Sequence, residues 1–261
     1  MPELPEVEEA VVRLRAAVAG RMILAAITHH PSQRRQFPPR HAGIVSGQRL
    51  VAVLRRGKHQ LLQLSSGATL HVHFRLGGDW EFSRSKSELP RHARFSLEFT
   101  NGARASLTDP RALVTVRYYA PDAAPTLDLG PEADDPALTV LAFRDALSAR
   151  RGAIKPVLLD QRVIAGVGNI YASEALWRAQ LHPAIAASTF GAVRAARLLE
   201  SIRSALADGV CNAATYRTGV RVVPFDVYDR EGEPCNRCGS LIRRLVQAAR
   251  STYFCAGCQR R

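Results

Sequence analysis

The first residues of the chain, Met1-Pro2-Glu3, place a potential amine nucleophile beside a carboxylic acid. Removal of the initiator methionine, which a small second residue favours, would leave Pro2 as a secondary-amine terminus. A terminal amine has a pKa of about 7.7–8.0, against about 10.4 for lysine, so roughly a tenth of it is free base at neutral pH. Such an amine attacks carbonyl-like carbons and forms a cationic iminium, an electron sink. The pattern predicts Schiff-base chemistry at Pro2, with Glu3 handling a proton.

The same stretch also fits a second interpretation, in which it only leads into a helix. Pro5 would lie near the first helical position, and acids in the first turn suit the positive end of the helix dipole. From these residues alone the two interpretations stay open.

Four cysteines near the end of the chain form the strongest single pattern. Cys235 and Cys238 make one CxxC pair, and Cys255 and Cys258 make a second one after sixteen intervening residues. In a chain without secretory features, two such pairs favour a tetrahedral zinc site with four thiolate ligands over disulfides. The residues between the pairs are rich in arginine and β-prone types, so we expect a hairpin held by the metal, with Arg250 near its turn.

The charge of the chain restricts its partners. Its 261 residues carry a net charge of +13, with 36 basic and 23 acidic residues. This excess indicates a polyanionic partner, with nucleic acid the first candidate and an anionic membrane surface the second. The chain has no apolar run of about eighteen residues and no basic-then-apolar leader, so we expect a cytoplasmic protein associated with the nucleoid through DNA.

Hydrophobic periodicity predicts a β-rich first part and a helical second part. A helix is expected over Glu6–Ala19. Short strands separated by turn residues follow, and they are typical of a β-sandwich or barrel. The predicted strands are Met22–Thr28, Ile44–Leu54, Gln60–Leu64, Thr69–Phe74, Phe95–Phe99, Ala103–Leu107 and Leu113–Tyr118.

Beyond a proline-rich and acidic linker, Ala120–Pro136, the pattern is helical. The turn Gly166-Val167-Gly168 precedes Asn169, which could bind a phosphate oxygen or cap the next helix. A helix over about Thr189–Leu206 is expected to point Val193, Leu199 and Leu206 into the core.

Several of these stretches together resemble the bacterial formamidopyrimidine-DNA glycosylase and endonuclease VIII family. The resemblance covers nearly the whole chain in order and favours the formamidopyrimidine branch. It is carried by the N-terminal Pro-Glu-Leu-Pro-Glu-Val-Glu, Gly57-Lys58, Asp109-Pro110-Arg111, Gly166 to Ala172 and the four cysteines.

The resemblance implies an α+β multidomain fold with DNA bound between domains. We expect a catalytic β-sandwich with an N-terminal helix at 1–132, a helix-two-turns-helix domain at 133–222 and a zinc-finger module at 223–261. It also implies a monomeric base-excision enzyme that removes oxidised bases from damaged duplex DNA and nicks the strand by β,δ-elimination.

The family's functional residues carry over position by position. Pro2, Glu3, Lys58 and Arg250 match catalytic positions, although a lone lysine such as Lys58 is more often a solvated surface residue. The resemblance assigns DNA contacts to six further residues, of which His92 by itself would be read as a plain surface histidine. They are Leu76, His92, Arg111, Leu113, Arg150 and Asn169.

Two departures concern the substrate. The family commonly fills the gap left by the flipped base with Met, Arg and Phe, whereas this chain has Leu76, Arg111 and Leu113. The segment Ala213–Val227 is also short where the family often has a longer loop over flipped 8-oxoguanine. The sequence therefore predicts weaker selectivity for 8-oxoguanine.

Other functions stay open at this point. The chain could be an endonuclease VIII-like glycosylase or lyase acting on oxidised pyrimidines and abasic sites. It could also be a non-catalytic zinc protein that binds damaged DNA, or a zinc-ribbon nucleic-acid binder, although the last leaves the N-terminal motif unexplained.

Overall fold

The computed structural model describes residues 2–217 and 225–260, and of residues 214–217 it describes only the backbone. It divides into two compact units, which we call unit 1 and unit 2. Unit 1 comprises Met1–Pro2 and Glu6–Leu127, and unit 2 comprises Glu3–Pro5 and Asp128–Arg261. The three-domain boundaries at 132 and 222 stay a prediction.

Unit 1 is a sandwich of two antiparallel four-stranded sheets with a helix at its start. One sheet has the strand order β1-β6-β7-β5 and the other β2-β3-β4-β8. The elements are α1 (Leu4–Val18), β1 (Ile23–Thr28), α2 (Pro31–Gln36), α3 (Pro39–Val45), β2 (Leu50–Arg56), β3 (His59–Leu64), β4 (Thr69–His73), β5 (Asp79–Arg84), β6 (Ala93–Phe99), β7 (Ala103–Thr108) and β8 (Thr115–Tyr119).

The core of unit 1 follows from the periodicity of its elements. Helix α1 buries Val7, Val11 and Leu14, which recur at three- and four-residue spacing on one face. The strands contribute side chains that include Leu62, Leu70, Trp80, Phe95 and Leu97, all fully buried in the same cluster. Alternate residues of each strand therefore meet between the sheets, which confirms the predicted sandwich.

Two local predictions in unit 1 are wrong. The predicted strand Ile44–Leu54 is divided, because α3 continues to Val45 and β2 begins only at Leu50. Gly47, with φ of 80°, allows the turn between them. Strand β5 has no counterpart in the prediction. Its only apolar residues are Trp80 and Phe82, and only Trp80 is buried, so its apolar alternation is too short to detect.

Unit 2 is helical and ends in a hairpin. Its elements are α4 (Val140–Ser148), α5 (Ile154–Leu158), α6 (Asn169–Arg178), α7 (Ala192–Arg217), β9 (Ile242–Gln247) and β10 (Arg250–Cys255), with a short 3-10 helix at Ala187–Thr189. Helix α6 lies at the centre of its core, because residues from Ile170 to Trp177 are all buried. The predicted helical part and metal hairpin are thus confirmed.

Helix α7 starts later than predicted and extends further. It buries Leu198, Leu199, Ile202 and Leu206, but Val193 is 83% exposed. Val193 lies in the first turn, beyond the edge of the core, so its apolar character misled the prediction. Among the helices of the described ranges, none has the length and apolar composition needed to cross a bilayer.

Three histidines form a cluster on neighbouring strands of unit 1. His59 on β3 lies opposite His73 on β4, and His59 Nδ1 is 2.7 Å from His71 Nε2. Burial lowers the pKa of His59 and of His71 to about 4 and that of His73 to about 3, and the cations of Lys58, Arg75 and Arg117 contribute to these shifts. The cluster is therefore neutral at pH 7.

This neutral cluster predicts a loss of stability in mild acid. In the unfolded chain the histidines take up protons below pH of about 6.5, whereas in the folded protein they do so only near pH 4. Stability should fall as the pH drops through this window, by at most about 1.4 kcal/mol per pH unit for each histidine.

Urea unfolding at pH 7.5 and 5.5 tests this prediction, since these two values lie on either side of the pKa of about 6.5 of a histidine in the unfolded chain. His71→Leu should reduce the difference between the two unfolding free energies. An unchanged difference in the variant would show that the cluster does not carry the pH dependence.

Candidate active site and metal centre

The N-terminus of helix α6 binds the carboxylate of Glu3. Glu3 is 1% exposed, and its Oε1 and Oε2 accept hydrogen bonds from the backbone N–H groups of Ile170 (2.9 Å) and Tyr171 (3.3 Å). These are first-turn N–H groups that have no partner within the helix, and the helix dipole adds positive potential there. The helix therefore fixes the position of Glu3 and stabilises its negative charge.

Two glycines make room for this contact. A Cβ atom on Gly168 would lie 2.2 Å from Cδ of Glu3, and a Cβ on Gly166 would lie 2.5 Å from Cδ1 of Leu4. Gly166 also has φ of 92°, and its carbonyl accepts a hydrogen bond from the N–H of Leu4 (3.1 Å). The Gly-Val-Gly sequence is thus explained by the close approach of residues 3 and 4.

This arrangement shows which groups occupy the N-terminus of α6, and it corrects the expectation that Asn169 caps the helix. The anion at the helix N-terminus is the chain's own Glu3, so Ile170 and Tyr171 do not offer these N–H groups to a phosphate. Asn169 is the first residue of the helix and does not cap it, since Gly168 occupies the N-cap position without a side-chain bond. Phosphate binding by Asn169 stays a prediction.

Lys155, which the sequence did not single out, lies beside this site. It is fully buried, and its Nζ donates hydrogen bonds to Oδ1 of Asn169 and to the carbonyl of Ser251 (3.2 Å). Burial and, to a smaller extent, the charge of nearby Arg250 lower its pKa to about 8, although the charge of Glu3 acts in the opposite direction. Lysine has no sequence signature of burial, so only the structure could reveal this amine.

Asn169 and Lys155 both contact the hairpin next to Arg250. Nδ2 of Asn169 donates to the carbonyl of Ser251 (3.0 Å), the carbonyl that also accepts from Lys155. The two-residue turn Ala248-Ala249 has φ of 47° and 57°, and it leaves Arg250 exposed at the start of β10. Arg250 is therefore near the hairpin turn, as predicted.

The four predicted zinc ligands converge at the base of the hairpin. The Sγ atoms of Cys235, Cys238, Cys255 and Cys258 all lie within 4.8 Å of one another. The Cys235–Cys258 and Cys238–Cys255 Sγ distances are 3.8 and 3.4 Å. A tetrahedral zinc with bonds of about 2.3 Å requires sulfur separations of about 3.8 Å. The residues fit one zinc ion.

Helix α6 also supports this metal centre. Nε1 of Trp177 donates to Sγ of Cys235 (3.4 Å), and the guanidinium of Arg237 stacks 3.9 Å from the centre of the Trp177 ring. Donors to a ligating sulfur orient it and tune its charge. The helix that positions Glu3 at its first turn thus contacts a zinc ligand at its last.

Glu174, in the middle of α6, binds the backbone of the chain after residue 224. Glu174 is 3% exposed and accepts hydrogen bonds from the N–H groups of Asp226 (2.8 Å), Val227 (3.0 Å) and Tyr228 (2.9 Å). Burial raises the pKa of Glu174, while these three bonds act in the opposite direction. The middle of the short segment Ala213–Val227, residues 218–224, lies outside the described residues, so the selectivity prediction for it stays untested.

Unit 1 contains Pro2 and Lys58. Pro2 is half-buried and directly precedes Glu3, and Lys58 is 8% exposed at the start of β3. A lysine this buried contradicts the interpretation of Lys58 as a solvated surface residue.

The predicted DNA contacts of unit 1 lie on loops and turns. Leu76 and Leu113 are 42% and 44% exposed, and Arg111 is also exposed. His92 is half-buried and has φ of 63°. Large apolar side chains held out on turns are available for contact with DNA bases.

In unit 2, Arg150 is half-buried and paired with Asp160. Its Nη2 lies 3.4 Å from Oδ2 of Asp160, and its Nε is buried without a hydrogen-bond partner. Arg150 could accommodate a phosphate at this unsatisfied donor only if the side chain moves, so its role stays a prediction.

Gly168→Ala should displace Glu3, because the added Cβ would overlap its carboxyl carbon while the backbone at Gly168 (φ −130°) suits alanine. We expect a loss of about 100-fold in cleavage at abasic sites, the activity that the family resemblance predicts, since misplacement by about 1 Å costs this much. Gly191→Ala is the matched control, because a Cβ there meets nothing within 4 Å. Equal rates for both variants would contradict the role of the glycine.

Cys255→Ser should remove the metal, because Cys255 is a fully buried member of the cluster. We expect zinc content measured by mass spectrometry to fall from about one per chain towards zero, with loss of DNA binding. Cys211→Ser is the control, since Cys211 is exposed and lies outside the cluster. Full zinc in Cys255→Ser would contradict the four-thiolate assignment.

Comparisons with known proteins agree along the whole chain. Family models match for the formamidopyrimidine-DNA glycosylase N-terminal domain (residues 1–116), the H2TH domain of the same enzyme (129–219) and a zinc finger found in FPG and IleRS (232–261). The last match and the four-thiolate geometry support one structural zinc ion.

Individual relatives extend over the full length. A formamidopyrimidine-DNA glycosylase of Chloroflexus aurantiacus is 38% identical over 99% of this chain and 98% of its own, and one of Chloroflexus aggregans is 40% identical with the same coverage. The crystal structure of the Lactococcus lactis enzyme non-covalently bound to DNA containing an AP site has a TM-score of 0.90 and 26% identity, covering 99% of this chain and 100% of that one. The chain therefore belongs to the formamidopyrimidine-DNA glycosylase family.

Proposed function

We propose how this member of the family carries out its reaction. Family membership makes the chain a base-excision DNA glycosylase with AP lyase activity. The proposal concerns which residues act, and on which lesions. The observation that supports it most is the buried carboxylate of Glu3, the residue directly after Pro2. Two N–H groups of α6 donate hydrogen bonds to this carboxylate.

Pro2 would be the nucleophile. Its amine attacks C1′ of a damaged nucleotide that has left the base stack, and the base departs. The resulting Schiff base acidifies the C2′ hydrogen, so that loss of this proton expels the 3′-phosphate. A second elimination then expels the 5′-phosphate and completes the gap.

Lys155 is the other amine that could serve as the nucleophile. Its pKa of about 8 is close to that of a terminal amine, so protonation alone does not separate the two groups. Lys155 is fully buried, however, and its Nζ is bonded to Asn169 and Ser251. Pro2 is half-buried, and removal of Met1 would make its nitrogen the accessible terminal amine.

Glu3 would assist opening of the sugar ring and transfer the proton that this step requires. An ionised carboxylate has about four lone-pair sites, so Glu3 can accept a proton while α6 holds it in place. Because Pro2 and Glu3 are consecutive residues, both groups can act on one nucleotide.

Lys58 and Arg250 would bind the phosphates that leave. Lys58 is a buried cation in unit 1, and Arg250 is an exposed cation of the zinc hairpin in unit 2. Arginine offers a planar fork that suits phosphate, so Arg250 would support the second elimination.

Six further residues would contact the damaged duplex. Leu76, Arg111 and Leu113 would fill the gap left by the flipped nucleotide, and His92, Arg150 and Asn169 would contact the strand. The net charge of +13 supplies the attraction for the backbone of DNA. We propose that the protein acts as a monomer in the cytoplasm, associated with the nucleoid through its DNA.

We further propose a substrate range that favours formamidopyrimidines and further-oxidised purines over 8-oxoguanine. The short segment Ala213–Val227 and the replacement of stacking side chains by leucines support this. Strong and selective cleavage of 8-oxoguanine paired with cytosine in a panel of lesion duplexes would refute it.

Borohydride trapping on abasic duplex DNA tests the catalytic roles. Pro2→Gly should lower the yield of covalent adduct, because it replaces the secondary amine with a primary one, and zinc content should be unchanged. Glu3→Gln should lower the excision rate for a formamidopyrimidine by at least about 100-fold, the range for general acid–base residues.

Glu9→Gln is the matched control, because Glu9 is a carboxylate on α1 that pairs with Arg13 and lies outside the site. Wild-type trapping in Pro2→Gly, or equal excision rates for Glu3→Gln and Glu9→Gln, would contradict the assignment.

A further inference from the structure

We propose that Asp109 is a positioning residue that fixes the turns by which unit 1 reads a flipped-out lesion. This inference rests on the proposed function of those turns. Asp109 belongs to the Asp-Pro-Arg motif, in which only the arginine was given a role. The residue is fully buried, so it cannot contact DNA itself.

The carboxylate of Asp109 holds the turn that follows it. Its Oδ1 accepts a hydrogen bond from the N–H of Arg111 (3.0 Å), and its Oδ2 accepts from Leu113 (2.6 Å) and Val114 (3.0 Å). Three backbone donors thus converge on one buried charge. The direction of the exposed Arg111 and Leu113 side chains follows from these bonds.

The same residue connects the other two predicted contact loops. The N–H of Asp109 donates to the carbonyl of His92 (3.1 Å). A Cβ on Gly77 would lie only 3.6 Å from Oδ1, so the turn that carries Leu76 passes directly beside the carboxylate. Asp109 therefore contacts or adjoins the loops of four of the six predicted DNA-binding residues.

Two neighbouring side chains donate hydrogen bonds to carbonyl groups of the turn. Arg94 donates through Nε to the carbonyl of Asp109 (2.7 Å) and through Nη2 to that of Pro110 (3.2 Å). The buried Gln33 of α2 donates to the carbonyl of Val114 (2.6 Å). The turn includes Ala112 at φ of 56°, a conformation that non-glycine residues seldom adopt. A turn of this kind needs its hydrogen bonds to persist.

Excision of a base and cleavage of an abasic site should depend to different extents on these turns. Excision of a base requires the nucleotide to unstack and the gap to be filled, whereas an abasic nucleotide has no base to unstack. Loosening the turns should therefore impair base excision more than cleavage of an abasic site. A purely structural role for Asp109 would impair both reactions equally.

Asp109→Asn tests the proposal, because it keeps the shape of the side chain but directs an amide NH2 at backbone donors. We expect kcat/KM for excision of a formamidopyrimidine to fall at least tenfold, and nicking of abasic duplex to fall less than threefold. With 2-aminopurine opposite the lesion, the fluorescence change on binding, which reports how the gap is filled, should be reduced. Asp79→Asn is the control, since its carboxylate binds Arg13 and the N–H of Trp80 instead.

A second variant covers the case in which Asp109→Asn does not fold. Arg94→Gln removes two bonds to the turn but leaves the carboxylate in place, and it should give the same selective loss at smaller size. Equal loss of both reactions with an unchanged fluorescence response, or no loss in either variant, would overturn the proposal. If wild-type protein cleaves neither duplex, the proposed function itself has failed.

Discussion

The structure depends most on the bond between the carboxylate of Glu3 and the first turn of helix α6. An anion at this position satisfies N–H groups that the helix cannot pair internally, and it does so out of contact with water. These donors and the helix dipole face the charge and help to offset the cost of burying it. The position of the third residue is therefore set by a helix that begins more than 160 residues later.

Helix α6 also forms hydrogen bonds to three other parts of unit 2. Asn169 in its first turn bonds the zinc hairpin at Ser251, Glu174 in its middle holds the backbone at 226–228, and Trp177 near its end donates to Cys235. Glu174 and Trp177 are buried and Asn169 is partly buried, so a shift of the helix would leave polar groups unpaired. The proposed proton-transfer group and the metal module are thus supported by one rigid element.

The sequence reveals chemistry that depends on local spacing and misses what depends on distant contacts. The two CxxC pairs predict the metal centre because four thiolates at that spacing have few other uses. The glycines before Asn169 predict a close approach, but not that Glu3 is the approaching anion. Lys155 and Gln33 carry no mark of burial in the sequence, since polar residues are buried only through partners that lie far along the chain. Strand β5 escapes prediction for a related reason, because only Trp80 anchors it.

The central claim is that the terminal amine of Pro2, and not a lysine, forms the covalent intermediate. The most direct measurement is peptide mapping by mass spectrometry of the borohydride-reduced adduct between the protein and abasic DNA. We expect the sugar remnant on the N-terminal peptide, attached to the nitrogen of Pro2. An adduct on the peptide containing Lys58 or Lys155, with the terminus unmodified, would contradict the account.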